Sequence, residues 1–308
     1  MTQENNLAPI VLFVYNRPDH TRQTVEALQK NELANQSELF IYCDNAKNED
    51  AKAKVDEVRK YVDSIDGFKK VTIIKREKNW GLANSIIDGV TNIVKEYGKI
   101  IVLEDDLVTS PYFLKFMNEA LEFYKDEKKV WHVSGWNYPI DTDGLDDVFL
   151  WRLMNCWGWA TWADMWKHYE KDVDKTIKEF SKEDIKRFNI DGQEDFFGQV
   201  IGNYEKKINT WAIFWYTTIF KKNGLCVNPS QTFVENIGHD GSGVHCGESC
   251  SFSSSLSMNE RMNMNMNIEE NNIAVERIQN FYQSQKKSLI LRIINKLART
   301  IIGKNIIK

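Results

Sequence analysis

The first hundred residues alternate between short apolar runs and amphipathic stretches, and this alternation limits the fold more than any other feature. The runs are rich in branched and aromatic residues, as expected of strands that are buried on both faces. The stretches between them carry apolar residues at helical spacing. The runs are Pro9–Tyr15, Leu39–Cys43, Val71–Lys75 and Lys99–Glu104, and the helical stretches are Asp19–Lys30, Glu49–Ile65 and Gly81–Tyr97. Alternating strands and helices predict an α/β fold with a parallel central sheet.

Polar residues follow three of these strands at the point where each strand ends. They are Tyr15-Asn16-Arg17-Pro18, Asp44-Asn45 and Glu104-Asp105-Asp106. In open α/β sheets, ligands bind beyond the carboxyl ends of the strands. Arginine offers a planar fork for phosphate, and an aspartate after the second strand can accept hydrogen bonds from a ribose or a base. A role in turns and helix caps would also explain Asp44 and Asn45.

The third group places three carboxylates directly after the buried run Ile100–Leu103. Their mutual repulsion is costly unless a cation compensates it. Mn²⁺ and Mg²⁺ prefer oxygen ligands, and a bound ion could bridge the protein to a diphosphate. The triplet therefore predicts a site for Mn²⁺ or Mg²⁺ and a diphosphate, with a solvated acidic turn as the alternative.

After residue 130 the pattern changes to shorter elements and an aromatic, glycine-containing segment, Cys156–Trp162. Strands are predicted at Val130–Val133 and Val148–Arg152, and helices at Asp164–Glu170, Lys182–Phe188, Glu194–Lys206 and Asn209–Lys222. Cys226–His245 contains loop chemistry that suits the rim of an active site. Several of the ten tryptophans lie between Trp131 and Trp166, where they suit either a core or a platform for sugars.

The C-terminal part differs from the rest in charge. The formal net charge is −4, but all eight charged residues after Glu276 are basic, which leaves −4 − 8 = −12 on the remainder. The overall charge argues against a general nucleic-acid binder. Leu289, Ile293 and Leu297 belong to an apolar helical stripe, so the tail suits the surface of an anionic membrane; the alternatives are packing on the acidic body or in a dimer. Met258–Asn267 is compositionally biased and predicts a poorly ordered linker.

Five scattered cysteines and no secretory signal at the N-terminus predict reduced thiols in the cytoplasm. His245, Cys246 and Cys250 could suggest zinc, but no fourth ligand at suitable spacing is evident. No run reaches the ~18 apolar residues needed to span a bilayer. We therefore expect a cytoplasmic protein that is peripheral on the inner face of the cell membrane.

Four segments carry a resemblance to a known family: Ile101–Tyr112, Val133–Asn137, Trp157–Trp159 and Asn236–His245. With them, the chain resembles the GT-A glycosyltransferases from about Pro9 to Cys246. It is most similar to bacterial family-2-type sugar transferases that share features with the animal N-acetylglucosaminyltransferase I family. The resemblance implies a Rossmann-like, mostly parallel sheet and a metal-dependent, inverting transfer from a nucleotide sugar, with UDP as the expected nucleotide. The expected acceptor is a lipid-linked glycan in bacterial surface polysaccharide synthesis, such as that of a capsule or O-antigen.

The same resemblance implies roles for individual residues. Asp106 is the expected metal ligand, and His245 lies where such enzymes place a late histidine near the metal or diphosphate. The expected donor-binding residues are Tyr15, Asn16, Arg17, Asp44, Asn79, Trp80, Glu104 and Asp105. Trp136, Trp157 and Trp159 are expected to shape the acceptor site.

The general base departs from the family pattern. An inverting transfer needs a carboxylate that takes the proton of the attacking hydroxyl. The animal relatives place an acid just after a tryptophan at a helix start, but Trp211–Trp215 contains none. Asp191, Glu194 and Asp195 are the nearest substitutes, and Asp191 and Asp195 suit helix capping equally well.

The expected organisation has four parts. Residues 1–130 form the half that binds the nucleotide sugar, 131–257 the acceptor-binding half, 258–285 a linker and helix, and 286–308 a basic amphipathic helix at the membrane.

Two alternative functions remain. A sugar-nucleotide pyrophosphorylase should carry a glycine-rich phosphate loop after its first strand, unlike Tyr15–Pro18. A membrane-tethered glycan-binding scaffold would leave the acidic triplet without a task.

Overall fold

The computed structural model describes residues 7–240 and 252–286. The strands are β1 Ile10–Val14, β2 Glu38–Cys43, β3 Lys70–Lys75, β4 Lys99–Glu104, β5 Leu107–Thr109, β6 Val130–Ser134, β7 Val148–Trp151, β8 Trp159–Trp162, β9 Leu225–Pro229 and β10 Val234–Asn236. The helices are α1 Pro18–Gln29, α2 Glu49–Val62, α3 Leu82–Tyr97, α4 Phe113–Phe123, α5 Ala163–Trp166, α6 Val173–Glu179, α7 Lys182–Phe188, α8 Phe197–Tyr204, α9 Ala212–Lys221 and α10, which includes residues 272–286. A short 3-10 helix spans Ala34–Gln36.

The predicted α/β fold is confirmed, with a central, mostly parallel sheet between helices. The four strands of the first hundred residues begin and end within one residue of their predicted positions. β1 is buried along its whole length, which explains why its sequence is a continuous apolar run and not an alternating one. Helices α1, α2 and α3 bury the apolar stripes that predicted them.

The sheet has eight strands in the order β3-β2-β1-β4-β8-β6-β9-β7. The four N-terminal strands pair in parallel, and β8 then runs antiparallel to both β4 and β6. The chain returns from the C-terminal half to form a second, two-stranded sheet of β5 and β10. This small sheet follows the acidic triplet directly and brings a distant loop beside it.

The C-terminal half shows where local patterns failed. The helix predicted over Asp164–Glu170 ends at Trp166, and the helices predicted from Glu194 and Asn209 begin at Phe197 and Ala212. β5, β8, β9 and β10 were not predicted as strands. They have three to five residues each, and their strand conformation depends on distant partners that no local pattern contains.

The prediction of a poorly ordered linker at Met258–Asn267 is wrong. We call residues 252–271 the strap, because they contain no helix or strand and are hydrogen-bonded to the body. The hydroxyl of Tyr124 donates to the carbonyl of Asn265 at 2.8 Å, and the Asn263 backbone N–H donates to Asp147 at 3.0 Å. The strap leads into α10.

Residues 287–308 of the basic tail lie outside the described residues, and so do His245, Cys246 and Cys250. Of the helices within residues 7–240 and 252–286, none combines the length and the apolar character that a membrane span requires.

Candidate active site

The acidic triplet lies at the carboxyl end of β4, next to the end of β1. Arg17 is the residue that precedes α1, and its guanidinium reaches across to the triplet. Nη2 of Arg17 lies 2.5 Å from Oδ1 of Asp105 and 3.0 Å from Oδ2 of Asp106. The sheet therefore brings one cation and two carboxylates from separate parts of the chain to one point.

Burial and mutual repulsion determine how this cluster is charged. Burial, together with Asp106 and Asp105, raises the pKa of Glu104 to about 8. Burial also raises the pKa of Asp105 to about 6, although Arg17 counteracts the change. Burial alone would lower the pKa of Arg17, but the two aspartates raise it above its usual value. The cluster holds more negative charge than Arg17 neutralises, so it favours a further cation.

The two aspartates differ in how firmly they are held. Oδ2 of Asp105 accepts the backbone N–H of Tyr15 at 3.2 Å, and its backbone carbonyl accepts the hydroxyl of Thr24 at 2.9 Å. The carboxylate of Asp106 has Arg17 as its ion-pair partner within the described part of the chain. Asp105 therefore fastens β4 to the loop after β1, whereas Asp106 has more capacity for an incoming ligand.

A loop after β10 packs directly on Asp106. The backbone N–H of Ile237 donates to the Asp106 carbonyl at 2.9 Å. A Cβ atom at Gly238 would overlap the Asp106 carboxylate and come within 3.0 Å of Nη1 of Arg17. The next residue is His239, whose buried Nε2 has no hydrogen-bond partner within residues 7–240 and 252–286. The absence of a side chain at position 238 is what keeps the space beside Asp106 open.

The residues present fit a divalent cation that is shared with a ligand. Within the described ranges, no three His, Cys, Asp or Glu side chains converge as a complete protein cage would. Mg²⁺ sites in proteins that act on phosphates typically use one or two carboxylates, with the substrate supplying further oxygens. Asp105 and Asp106 provide such a pair of hard oxygen donors.

Asp44 organises the loop that follows β3. Its two oxygens accept hydrogen bonds from the backbone N–H groups of Asn45, Trp80 and Gly81 and from the side-chain amide of Asn79, at 2.8–3.0 Å. The capacity of this carboxylate to accept hydrogen bonds is therefore largely taken up by groups of the protein itself. Asp44 fixes the position of the Trp80 loop, in keeping with the turn role that the sequence had left open.

Trp80 is held from a second side as well. The guanidinium of Arg76 stacks on its ring at 3.9 Å from the centroid and forms an ion pair with Asp88. A stacked arginine and a hydrogen-bonded backbone restrict the indole, which favours a preformed aromatic surface. Tyr15 supports the same rim, because its hydroxyl accepts the backbone N–H of Lys47 at 3.0 Å. Asn16 lies between Tyr15 and Arg17, partly buried.

An aromatic cavity of about 250 Å³ lies beyond His239. The ring of His239 packs against Trp157 with centroids 5.2 Å apart, and Trp157 packs against Trp136 at 4.6 Å. Both tryptophans line the cavity, together with Phe196 and Tyr282. A chain of contacts through Gly238 and His239 thus links Asp106 to Trp157 in the cavity wall.

Trp159, which was expected to shape the acceptor site, does not line this cavity. It is 1% exposed and stacks on Trp211 at 5.1 Å and on His132 at 5.4 Å. Trp159 belongs to β8, and its side chain is part of the core. The tryptophan-rich segment is therefore divided between two locations, with Trp159 in the core and Trp157 at the cavity.

The three candidates for the general base have different surroundings. Oδ2 of Asp191 accepts hydrogen bonds from Arg152 at 2.7 Å and Gln279 at 2.8 Å. Glu194 accepts the backbone N–H of Asp195 at 3.0 Å. Asp195 accepts the N–H of Gly198 at 3.0 Å, so it caps the first turn of α8. Of the three, Asp195 directly precedes Phe196, which forms part of the cavity wall.

Several residues of the site escaped prediction. Gly238 and His239 lie in the segment Asn236–His245 that carried the resemblance, but the histidine singled out there was His245. A glycine followed by a histidine in a loop after a strand was the available signal. Tyr282 gave none, because its place at the cavity depends on the path of the strap and α10.

Comparisons with known proteins agree with this fold. The model of the protein family described as "Glycosyl transferase family 2" matches residues 10–198, more than half of the chain. No curated protein matches the chain.

Three solved structures are similar to the chain over 70–72% of its length, each with a TM-score below 0.5. A mannosyltransferase from Pyrobaculum calidifontis, PcManGT, in complex with GDP-Man and Mn²⁺, is 10% identical with a TM-score of 0.42, over 70% of this chain and 69% of that one. Mouse xyloside xylosyltransferase 1 is 10% identical with a TM-score of 0.37, over 70% and 81%. A UDP-glucose pyrophosphorylase complexed with UDP-glucose is 10% identical with a TM-score of 0.34, over 72% and 90%. At such identities and scores, no residue role is transferred from these proteins.

Proposed function

The chain belongs to glycosyl transferase family 2 and is a glycosyltransferase, and from this premise we propose that its reaction depends on a divalent metal and uses a UDP-sugar donor. One observation carries the proposal. The carboxylate of Asp106, at the carboxyl end of the sheet, is linked by contacts through Gly238 and His239 to Trp157 in the wall of an aromatic cavity. A charged site for a diphosphate and an apolar site for a second substrate therefore adjoin.

On the donor side, Arg17 is the residue that would contact the diphosphate. Its guanidinium can exchange the Asp106 carboxylate for a phosphate oxygen with little loss of hydrogen-bond energy, because both acceptors suit the planar guanidinium. Trp80 would cover the base and ribose, with Asn79 and Asp44 holding its loop. Tyr15, Asn16, Glu104 and Asp105 form the remaining rim.

Asp106 would hold the divalent ion, with Asp105 beside it. Bound there, Mn²⁺ or Mg²⁺ would neutralise negative charge on the departing nucleoside diphosphate. His239 directly follows Gly238, which packs on Asp106. The proposed contribution of His245 rests on the family resemblance, since that residue lies outside the described ranges.

On the acceptor side, we favour Asp195 as the base that takes the proton of the attacking hydroxyl. Asp191 is engaged by Arg152 and Gln279, which would hold its charge in an ion pair. Asp195 is exposed and adjoins Phe196 in the cavity wall. Trp136 and Trp157 would contact the acceptor. Attack on the face of the anomeric carbon opposite the departing nucleoside diphosphate would invert its configuration.

The finer biological role rests on the sequence. The resemblance to bacterial enzymes and to the N-acetylglucosaminyltransferase I family supports surface polysaccharide synthesis. The basic tail, residues 286–308, supports docking on an anionic inner membrane surface, where a lipid-linked glycan would be the acceptor. In this scheme residues 1–130 bind the donor and 131–257 the acceptor. Residues 258–285 join that body to the tail.

Donor binding tests the proposal. The melting temperature of the wild type and of Asp106→Asn is measured with a panel of nucleotide sugars, in Mn²⁺ and in chelator. We expect one donor to stabilise the wild type only when the metal is present, and to lose this effect in Asp106→Asn. Asp126→Asn, at an exposed position, is the matched control and should respond like the wild type. Equal stabilisation in chelator would contradict metal dependence.

A further inference from the structure

The aromatic cavity has the size and walls of a subsite for one ring. Its volume of about 250 Å³ lies below the roughly 300–1,000 Å³ of pockets that take drug-sized ligands. Trp136 and Trp157 are packed edge to face at an interplanar angle of 71°, so two aromatic surfaces of different orientation meet there. Aromatic faces of this kind pack on the C–H faces of compact ligands.

A pair of tyrosine hydroxyls supplies the polar recognition. The hydroxyls of Tyr138 and Tyr282 lie 3.0 Å apart, and both residues line the cavity. Each hydroxyl carries one proton and can accept as well. Because one proton serves the bond between them, the other has no acceptor within the described residues. The pair therefore has one O–H group that could donate a hydrogen bond to an oxygen of a ligand.

The charges around the cavity oppose an anionic ligand. None of the side chains that line it within residues 7–240 and 252–286 carries a formal charge at neutral pH. Behind the walls, Asp191 and Glu270 pair with the single cation Arg152, and Glu194 interacts electrostatically with Tyr282. Lys286 lies nearby against the carbonyl of Gly192. The balance of these groups is three anions against two cations.

We propose that the cavity binds one uncharged sugar ring of the acceptor, and that the Tyr282 hydroxyl, paired with Tyr138, selects it through a hydrogen bond. This inference rests on the proposed function, since it names the acceptor class of the same site. An uncharged ring offers both the hydroxyl oxygens and the apolar face that the cavity matches. A uronic acid would place a carboxylate among apolar walls, where desolvation is unfavourable.

The residue proposed to select the acceptor, Tyr282, comes from a different part of the chain than the donor-site residues. It lies on α10, beyond residues 10–198 that match the family model. Its ring packs on Tyr138 with centroids 5.5 Å apart and is 8% exposed. The hydrogen bond from Tyr124 to the strap anchors the segment that leads to α10. The C-terminal segment thus completes a wall of the acceptor site and contributes a specificity-determining residue.

Binding of matched glycosides tests the proposal directly. Methyl glycosides of glucose, galactose, mannose and N-acetylglucosamine are titrated while tryptophan fluorescence is followed. The methyl uronides of the first three sugars, which differ from them only at C6, are titrated in parallel. We expect a neutral glycoside to change the emission, and its uronide, where the panel has one, to bind at least tenfold more weakly. Equal binding of a uronide, or no binding by any neutral glycoside, would overturn the inference.

Tyr282→Phe tests the hydroxyl itself. Removing one neutral hydrogen bond should weaken the binding of the neutral glycoside about three- to tenfold. An unchanged affinity would overturn the role of Tyr282. Tyr204→Phe is the control, because Tyr204 is 56% exposed. Hydrolysis of the nucleotide-sugar donor by the wild type is measured separately. Glycoside binding without donor hydrolysis would count against the proposed function alone, and donor hydrolysis without glycoside binding against this inference alone.

Discussion

The guanidinium of Arg17 lies 3.0 Å from Oδ2 of Asp106, so the carboxylate proposed to hold a metal already faces a cation. The side chain of Arg17 is 19% exposed and that of Asp106 is 9% exposed. Arg17 therefore has two tasks, to neutralise the cluster before a donor arrives and to bind the diphosphate afterwards.

Replacing Arg17 should allow added Mn²⁺ to take the place of its guanidinium beside Asp105 and Asp106. In Arg17→Met, two buried carboxylates lose their partner, and we expect the free energy of unfolding to fall by roughly 1–3 kcal/mol in chelator. Mn²⁺ should then raise the melting temperature of this variant more than that of the wild type. Arg22→Met, at an exposed position on α1, is the control. An equal response to Mn²⁺ in all three proteins would show that Arg17 and the metal do not share the carboxylates.

Adding one methyl group at position 238 should disable the site. In Gly238→Ala the new Cβ would overlap the Asp106 carboxylate, so we expect release of the nucleoside diphosphate to slow at least about tenfold while the fold is retained. Rates and circular dichroism are measured together. In the control Gly202→Ala, the new Cβ would meet only the end of the Ile208 side chain, and near-wild-type rates are expected. A fully active Gly238→Ala enzyme would mean that the loop does not border the reacting groups.

Asp44→Asn should loosen the Trp80 loop. The substitution puts an amide N–H₂ where an oxygen now accepts two N–H groups, so at least one donor loses its partner. We expect a loss of roughly 1–3 kcal/mol in stability and a weaker affinity for the donor. Titration of the donor and denaturant unfolding are the measurements, with the exposed Asp50→Asn as control. An unchanged donor affinity would show that the loop position does not matter for binding.

His132 should make stability depend on pH. Its Nδ1 accepts the indole N–H of Trp215 at 3.2 Å, and its Nε2 faces the carbonyl of Asn155 at 3.0 Å, so the buried ring is neutral. Burial lowers its pKa to about 3, below the roughly 6.5 of an unfolded chain. The unfolded state thus binds the proton first, and stability falls as the pH decreases from about 6.5 towards 3, by roughly 3–5 kcal/mol in total.

The variant His132→Gln isolates this contribution. It can keep both hydrogen bonds without titrating, so its unfolding free energy should vary less steeply over the same pH range. Desolvation and two nearby lysines also lower the pKa of the surface residue His168, so His168→Gln should keep most, but not all, of the slope of the wild type. Parallel curves for His132→Gln and the wild type would contradict a neutral, buried His132.

The N-terminal half of the fold was predictable because its information is local. A strand buried on both faces must be apolar throughout, as Ile10–Val14 is, and a helix on the sheet must be amphipathic. The triplet Glu104–Asp106 was visible for a related reason, since carboxylates at the end of a buried strand need compensation. These signals do not depend on which distant segment completes the neighbourhood.

The remainder of the site depends on long-range packing that periodicity does not encode. β10 exists because it pairs with β5, and this pairing brings Gly238 onto Asp106. Trp157 and Trp159 are two residues apart, yet one lines the cavity and the other lies in the core. Tyr282 reaches Tyr138 only because the strap crosses the body. Sequence composition could suggest an aromatic site, but it could not select which tryptophans form it.

The most direct test of the central claim is turnover of the nucleotide-sugar donor. Release of the nucleoside diphosphate from the donor that binds is measured in Mn²⁺ and in chelator, for the wild type, Asp106→Asn and Asp126→Asn. We predict release by the wild type and Asp126→Asn only with the metal, and a loss of at least roughly 100-fold in Asp106→Asn, since even partners behind metal ligands typically contribute about 10–100-fold. Full activity of Asp106→Asn, or of the wild type in chelator, would contradict the account.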